Sequence, residues 1–231
     1  MSVIAVIPAR GGSKRIPRKN IKDFLGKPMI AYSIETALST GLFDKVIVST
    51  DDVEIASIAE NYGADVPFVR PKDLADDLTG TDAVVRHAIE YCLQEGESVE
   101  LACCIYATAP LLQVQFLEEG YRKLVNSDKC FAFSVTTFPF PIQRAVLINE
   151  NGEVDAFWPE KIFDRSQDLS EAYHDAGQFY WGRTDAFMNN EIIFSPVSLP
   201  VILPRHHVLD IDTPEDWKQA ELLYKAFHLD K

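Results

Sequence analysis

The sequence predicts an α/β fold in which helices cover both faces of a mostly parallel β-sheet. Three observations support this fold class. Apolar runs rich in β-branched residues alternate with segments of helical periodicity, as successive right-handed βαβ units do. The 231 residues, of which 47% are hydrophobic, can bury one substantial core. The sequence contains no internal repeat and no low-complexity linker, so we expect one domain over residues 1–231.

The first part of the chain carries the alternating pattern. Residues 3–7 form a continuous apolar run that is typical of a central strand covered on both faces. A basic loop follows, and Pro28 is then placed to begin a helix that ends near Ser39. Asp52 is placed to cap the next helix, which ends before Gly63. The other predicted elements are strands at residues 44–50, 66–69, 101–108 and 129–137, and helices at residues 81–93 and 113–125.

The pattern changes in the last part of the chain. Two extended segments within residues 142–158 meet at Asn151-Gly152, a pair that is typical of hairpin turns. We therefore expect a small β-rich excursion, at about residues 138–174, from a Rossmann-like three-layer core. The remaining predicted elements are strands at residues 178–182 and 208–211 and a final helix from Pro214 to about Phe227.

The charge of the chain is uneven. Its net charge is −13 and its pI is about 4.8, which argues against nucleic acid as a partner. Positions 10–27 nevertheless concentrate positive charge, and a small polyanion needs only such a local basic pocket. The basic residues there are Arg10, Lys14, Arg15, Arg18, Lys19, Lys22 and Lys27.

The cysteines and the apolar runs narrow the class of protein further. The four cysteines include no CxxC pair and lie at no zinc-ligand spacing from a histidine, so neither disulfides nor a zinc site are expected. No apolar run reaches the roughly 18 to 20 residues that a membrane span needs. We expect a soluble, cytoplasmic protein with no membrane partner.

The strongest motif is the loop that follows the first strand, with the sequence IPARGGSKRIPRKN. Gly11 and Gly12 allow backbone N–H groups to approach an anion, and Ser13 adds a hydroxyl donor. Arg10 and Lys19 supply the positive charge that a triphosphate needs. The loop matches neither GxxxxGK[ST] nor GxGxxG. It could be a basic surface loop only, but its place after a buried strand favours phosphate binding.

Near the C-terminus, Asp210 and Asp212 alternate with Ile211. On a strand both carboxylates would point to the same face and could supply two oxygen ligands to Mg²⁺. Acidic residues are also common just before a helix, so the pattern alone does not separate a metal site from two solvated acids.

Four ordered motifs resemble the CMP-sugar synthetases, the cytidylyltransferases of sialic-acid-type sugars. They are PARGGSKRIPRKNI at residues 8–21, VSTDD at residues 48–52, RP at residues 70–71 with TGT at residues 79–81, and DIDTP at residues 210–214. The resemblance implies that CTP reacts with an acidic nine-carbon sugar, with Mg²⁺ as cofactor and pyrophosphate as leaving group. It implies nucleotide binding by Ala9, Arg10, Gly11, Gly12, Ser13, Lys19, Asn20, Arg70 and Thr81, catalytic roles for Arg10, Lys19, Asp210 and Asp212, and a metal site at Asp210 and Asp212.

The sugar is suggested by two further segments, YATAP at residues 106–110 and DAGQFYWG at residues 175–182. They resemble the members of the family that act on pseudaminic acid, and the aromatic face of Tyr106 suits the methyl and acetamido groups of a deoxy sugar. We expect Tyr106, Thr108, Gln178 and Tyr180 to bind the sugar. Within the second segment, alternation places Gln178 and Tyr180 on one face of a strand and Phe179 and Trp181, as core residues, on the other.

The family also implies a homodimer in which the excursion reaches the partner subunit and brings Arg165 to its active site. No general base can be named; His174, His206 and His207 are candidates by residue type alone. The alternatives are neuraminic, legionaminic or ketodeoxyoctonic acid as the sugar, or a non-catalytic nucleotide-binding protein of the same fold. A glycosyltransferase is disfavoured because its DxD-like motif would lie in mid-chain.

Overall fold

The computed structural model describes residues 2–76 and 79–228, and its core is a six-stranded sheet flanked by helices. The strands are β1 (Ser2–Pro8), β2 (Asp23–Phe24), β3 (Lys27–Pro28), β4 (Lys45–Ser49), β5 (Val99–Ile105), β6 (Phe131–Thr137), β7 (Val146–Ile148), β8 (Val154–Ala156), β9 (Tyr173–Arg183) and β10 (Ser198–Ile202). The α-helices are α1 (Met29–Ser39), α2 (Val53–Asn61), α3 (Thr81–Gln94), α4 (Val114–Val125), α5 (Thr184–Met188) and α6 (Pro214–His228).

The strand order of the main sheet is β10-β6-β9-β5-β1-β4. β1 pairs in parallel with β4 and β5, and β10 pairs in parallel with β6. β9 lies between β5 and β6 and is antiparallel to both, so the other five strands share one direction. The expected mostly parallel sheet is confirmed, with one antiparallel strand. The reversal arises because the chain leaves the sheet after β6 and returns in β9 from the same end.

The alternating side chains of β1 contribute to two separate cores, which confirms the three-layer arrangement. Ala5 and Ile7 pack in the core shared with α1, α2 and α4, whereas Ile4 and Val6 pack in the core shared with α3 and α5. All four of these side chains are fully buried, as a central strand covered on both faces requires. None of the helices in the described part of the chain has the length and apolar composition needed to cross a bilayer.

Two predicted strands are absent. Residues 66–69 make one isolated bridge, at Val69, and Asp65 before them makes another, because Pro67 has no N–H to donate to a ladder. Residues 208–211 form no strand, since a short 3₁₀ turn at Arg205–His207 precedes them and Ile211 packs into a separate cluster. The edge position belongs instead to β10, which the prediction missed. β10 contains Pro200, a residue that an edge strand tolerates.

The C-terminal helix α6 fixes the segment before it against the N-terminal loop. Thr213 and Asp216 cap the helix reciprocally: the Thr213 N–H donates to Asp216 Oδ2 (2.7 Å), and the Asp216 N–H donates to Thr213 Oγ1 (3.2 Å). Ile211 and Trp217 then pack with Ile16 of the N-terminal loop in a third apolar cluster. The predicted start of the helix is confirmed, and it brings residues 210–212 beside residues 9–20.

The excursion contains the predicted hairpin. β7 and β8 pair antiparallel outside the main sheet. Asn151 and Gly152 lie in the connection, where Gly152 adopts a φ of +80° that favours glycine. Ile148 and Val154 are 73% and 72% exposed, so the hairpin buries little apolar surface within its own chain.

Candidate active site

A cleft of about 510 Å³ opens beyond the carboxyl ends of β1 and β5, where ligands of open α/β sheets bind. Three parts of the chain contribute its lining: residues 8–20, residues within 70–76 and 79–84, and residues 106–108. The first is the basic loop, the second leads into α3, and the third follows β5. The structure thus brings three widely separated parts of the chain to one site.

The basic loop is held by the turn between β4 and α2. The Gly11 N–H donates to Asp51 Oδ1 (2.9 Å), and the buried Ala9 donates its N–H to Ser49 O (2.9 Å). A Cβ on Gly11 would lie only 2.7 Å from Asp52 Oδ2, whereas a Cβ on Gly12 would meet nothing within 4 Å. Gly11 is therefore needed for the close approach of the two loops, and its amide serves this contact.

Arg18 ties the same two loops together. It adopts a left-handed conformation with φ of 56°, and its guanidinium bonds to both carboxylate oxygens of Asp52 and to Glu54 (2.5 Å). These contacts raise the pKa of Arg18 and lower the pKa of Asp52 to about 2, chiefly through the hydrogen bond between them. Asp52 also caps α2, accepting from the N–H groups of Glu54 and Ile55 (3.0 Å each).

Four of the seven loop residues expected to bind a nucleotide line the cleft, and Ala9, Gly11 and Gly12 do not. Arg10, Ser13, Lys19 and Asn20 all face it. Asn20 donates its amide to Arg10 O (3.0 Å), which fixes the loop backbone, and Arg10 donates to Asp76 O (2.7 Å). Positive charge and a hydroxyl therefore converge on one wall of the cleft.

Arg70 supplies a buried charge to the same cleft. Its side chain donates to Oγ and to the carbonyl oxygen of Ser49, which are both uncharged. The residue is only 4% exposed, and burial lowers the pKa of its guanidinium to about 10. A buried cation with uncharged partners is well suited to bind an anionic ligand. Thr81, at the start of α3, lines the cleft beside it.

Asp210 and Asp212 lie at the edge of the cleft, beside the basic loop. Asp212 Oδ2 is 2.7 Å from Arg15 NH1, and Asp212 Oδ1 is 3.4 Å from Lys19 Nζ, which also donates to Ile211 O (2.6 Å). The sequence suggested that the two carboxyl groups lie on one strand, but residues 210–212 form no strand. They are brought side by side because the intervening Ile211 is buried in the cluster below.

This carboxylate pair fits a hard divalent cation. The pKa of Asp210 is raised, first because neighbouring atoms shield its carboxyl from water and then because Asp212 is adjacent. Within the described residues no group of three or more His, Cys, Asp or Glu side chains is arranged for a metal. Two carboxylates are nevertheless a typical protein contribution to a Mg²⁺ site that takes its other oxygens from substrate phosphates.

The residues expected to bind the sugar separate into two groups. Tyr106 and Thr108 line the cleft. Gln178 and Tyr180 are 3% and 5% exposed and lie within the sheet, because helices cover both of its faces and β9 has no free face. Gln178 Nε2 donates to His207 O (2.5 Å). Phe179 and Trp181 are core residues, as expected.

Arg165 lies in the excursion, away from the cleft. Its side chain is 74% exposed and pairs with Asp168 at 2.7 Å. The histidines considered as bases are also remote from the cleft lining: His174 packs on Phe138, and His206 and His207 pack on Phe227.

The sequence interpretation missed specific roles for Arg15, Arg18 and Asp175. Both arginines belong to the basic cluster, but their partners Asp212 and Asp52 are distant in sequence and could not be assigned from it. Asp175 accepts a hydrogen bond from the Tyr180 hydroxyl, and no sequence pattern marks that contact.

Comparison with known proteins gives a family and close relatives. A family model described as cytidylyltransferase matches residues 4–193. A Campylobacter jejuni protein named pseudaminic acid cytidylyltransferase is 50% identical, with 99% of this chain and 98% of that protein covered. A Legionella pneumophila protein named CMP-N,N'-diacetyllegionaminic acid synthase is 31% identical, with 96% of each chain covered.

The fold has counterparts among solved structures. The chain is similar to a CMP:2-keto-3-deoxy-manno-octonic acid synthetase complexed with CTP, with a TM-score of 0.71. The match covers 98% of this chain and 100% of that one, at 20% sequence identity. At this level of identity the likeness supports the three-layer α/β fold.

Proposed function

This chain belongs to the cytidylyltransferase family and is a nucleotidyltransferase enzyme, and from this premise we propose that it condenses CTP with pseudaminic acid. The products are CMP-pseudaminic acid and pyrophosphate. One observation carries the proposal: a cationic loop and the buried Arg70 line one cleft with Tyr106, and the carboxylate of Asp212 contacts that loop. The identity of the sugar is supported by the 50% identity to the Campylobacter jejuni relative over nearly the whole of both chains.

The chemical step is an in-line attack by the anomeric hydroxyl oxygen of the sugar on the α-phosphorus, with pyrophosphate as the leaving group. Arg10, Lys19 and Arg70 bind the triphosphate and stabilise the negative charge that builds on its oxygens as the bond breaks. Ser13 and Asn20 position the loop and the nucleotide. In the described part of the chain no histidine lines the cleft, so we assign no general base.

Enzymes of this kind generally depend on a divalent metal ion. Asp210 and Asp212 are the residues that would hold Mg²⁺, which supplies charge neutralisation at the phosphate oxygens. In the free protein Asp212 is neutralised by Arg15 and Lys19, so these two cations are the groups that metal binding must displace or rearrange.

The quaternary part of the proposal is a homodimer formed through the excursion at residues 138–174. Large apolar side chains there face solvent: Phe163 is 93% exposed and Phe140 is 80% exposed. Apolar area of this kind is typical of an interface. We propose that a second copy covers it and that Arg165 then reaches the partner's cleft. In sedimentation the wild type should be a dimer and Phe163→Asp a monomer; a monomeric wild type would overturn this part.

The use of CTP fits a cytoplasmic location.

A panel of acidic sugars tests the reaction. Purified protein is incubated with CTP, Mg²⁺ and pseudaminic, neuraminic, legionaminic or ketodeoxyoctonic acid, and pyrophosphate release is measured. We expect turnover of pseudaminic acid with at least about tenfold higher kcat/KM than the others. Turnover of neuraminic but not pseudaminic acid would contradict the sugar assignment. Release from none of the four would contradict nucleotidyl transfer and favour a non-catalytic nucleotide-binding protein.

A further inference from the structure

Strand β4 ends at Ser49, and this end of the strand contacts both the basic loop and Arg70. Ser49 O accepts from the Ala9 N–H (2.9 Å) and from Arg70 Nη2. The next residue, Thr50, accepts the Arg70 backbone N–H on its carbonyl oxygen (2.8 Å). The last residue of β4 therefore holds the start of the loop and the buried arginine on one carbonyl.

The hydroxyl of Ser49 makes a separate contact with the same arginine. Ser49 Oγ accepts from Arg70 Nε at 3.1 Å, and Ser49 is fully buried. The Nε–H and one Nη2–H lie on the same edge of the planar guanidinium, so Ser49 binds that edge at two points. Two contacts on one edge fix the plane of the guanidinium, whereas one contact would let the group swing about it.

This arrangement orients Arg70 without neutralising it. Within the residues that the structure describes, the two oxygens of Ser49 are the hydrogen-bond partners of the guanidinium, and Arg70 forms no ion pair. Ser49 uses two of the five N–H donors of the group, and Arg70 itself lines the cleft. A carboxylate at position 49 would also hold the guanidinium, but it would cancel the charge that an anionic ligand needs.

We propose that the Ser49 hydroxyl is a positioning group for nucleotide binding: it orients the Arg70 guanidinium toward the triphosphate and leaves its positive charge available. The proposal rests on the proposed function and deepens it, because it assigns to β4 a part in triphosphate binding. Ser49 acts through Arg70, since it is buried and does not itself line the cleft.

The test is Ser49→Ala, which removes the acceptor for Arg70 Nε and keeps the backbone carbonyl that binds Ala9 and Nη2. Binding of CTP with Mg²⁺ is measured by calorimetry without sugar, and the Kd should rise about tenfold. In turnover assays the KM for the sugar should change less than about twofold. An unchanged Kd for CTP, or an equal rise in the KM for the sugar, would overturn the proposal.

The matched control is Ser134→Ala, which removes another fully buried serine hydroxyl. Ser134 lies on β6, where its Oγ accepts from the N–H groups of Gln178 and Phe179 (3.3 and 3.2 Å). Both variants should lower Tm, because each leaves buried donors unpaired, but Ser134→Ala should leave the Kd for CTP unchanged. A similar rise in Kd for both variants would show a general structural effect and contradict the positioning role.

A double-mutant cycle shows whether Ser49 acts through Arg70. In the Arg70→Met background Ser49→Ala should add nothing to the Kd for CTP, because the hydroxyl then has no guanidinium to orient. Multiplying effects would overturn the proposal. If Ser49→Ala does not fold by circular dichroism, Ser49→Cys replaces it: sulfur is a weak acceptor of similar shape, and the Kd should rise about threefold, again only when Arg70 is present.

The binding measurement keeps this proposal separate from the proposed reaction. A wild type that binds CTP but shows no coupling between positions 49 and 70 contradicts the positioning role alone. Coupling in CTP binding together with no pyrophosphate release from any sugar of the panel contradicts the reaction and supports the positioning role.

Discussion

The two ends of the cleft are built in different ways. At the loop end, charged side chains within residues 10–19 are held by ion pairs to Asp52 and Asp212. At the Tyr106 end, the ring of Tyr106 lies 5.5 Å from that of the buried Tyr180, whose hydroxyl donates to Asp175. Coulombic attraction falls slowly with distance and tolerates small displacements, whereas a hydrogen bond depends on direction. We therefore expect the loop end to provide affinity and charge stabilisation, and the Tyr106 end to provide selection.

The largest expected effect tests the catalytic side of this comparison. Asp212→Ala removes one of the two carboxylates that would hold Mg²⁺, and turnover should fall at least about 10³-fold, because charge stabilisation at the reacting phosphate is lost. Pyrophosphate release measures turnover, and circular dichroism checks the fold. Glu215→Ala, an exposed acid in the first turn of α6, is the control and should keep near wild-type activity. An active, folded Asp212→Ala enzyme would remove Asp212 from the metal site.

An intermediate effect is expected at Arg70, which should serve the nucleotide and not the sugar. Arg70→Met removes the buried guanidinium while keeping much of its volume, and kcat/KM for CTP should fall about 100-fold. The KM for the sugar should change less than about twofold. Arg122→Met, on the exposed face of α4, is the control. If the sugar KM rises as much as the CTP KM, the two ends of the cleft are not independent and the comparison fails.

The smallest effect concerns the ion pair between Arg18 of the basic loop and Asp52 of the β4–α2 turn. Arg18→Ala removes a partly exposed ion pair, so the free energy of unfolding should fall by about 1 kcal/mol after allowance for solvent screening, and Tm by about 2–4 °C. The KM for CTP should rise about threefold because the loop is less ordered. Lys225→Ala, an exposed lysine of α6, should leave Tm unchanged.

The same pair predicts a pH dependence. Arg18 lowers the pKa of Asp52 from 3.8 to about 2 in the folded protein. The contribution of the Arg18–Asp52 pair to the free energy of unfolding is therefore fully present above pH 4 and is lost as the pH falls through about 2. The Tm difference between the wild type and Arg18→Ala should be constant at neutral pH and shrink between pH 4 and pH 2. A Tm difference that persists unchanged at pH 2 would show that the stabilisation by Arg18 does not depend on the charge of Asp52.

Sequence patterns were sufficient to predict a feature where that feature depends on residues that are neighbours in the chain. Residues 9–20 carry their own glycines and cations, and Asp52 and Thr213 begin helices as their spacing predicts, because these are local hydrogen bonds. Both β1 and the hairpin of the excursion were also predictable, since hydrophobic alternation and turn residues act over a few positions. The strand expected at residues 208–211 was wrong because Ile211 is buried in an apolar cluster, and hydrophobicity does not distinguish packing from strand pairing.

The sequence by itself determined that this chain is an α/β protein with a cationic, glycine-containing loop after its first strand and a pair of acidic residues near its C-terminus. Only the tertiary structure decided which side chains face the cleft. Gln178 and Tyr180 are buried, although their alternation suggested a free face, because helices cover both sides of the sheet. It also decided that the Tyr180 hydroxyl donates to Asp175, since a bulge that contains Gly177 brings these two residues of β9 together. Charge can be located from composition, but the direction of a hydrogen bond is set by the folded neighbours.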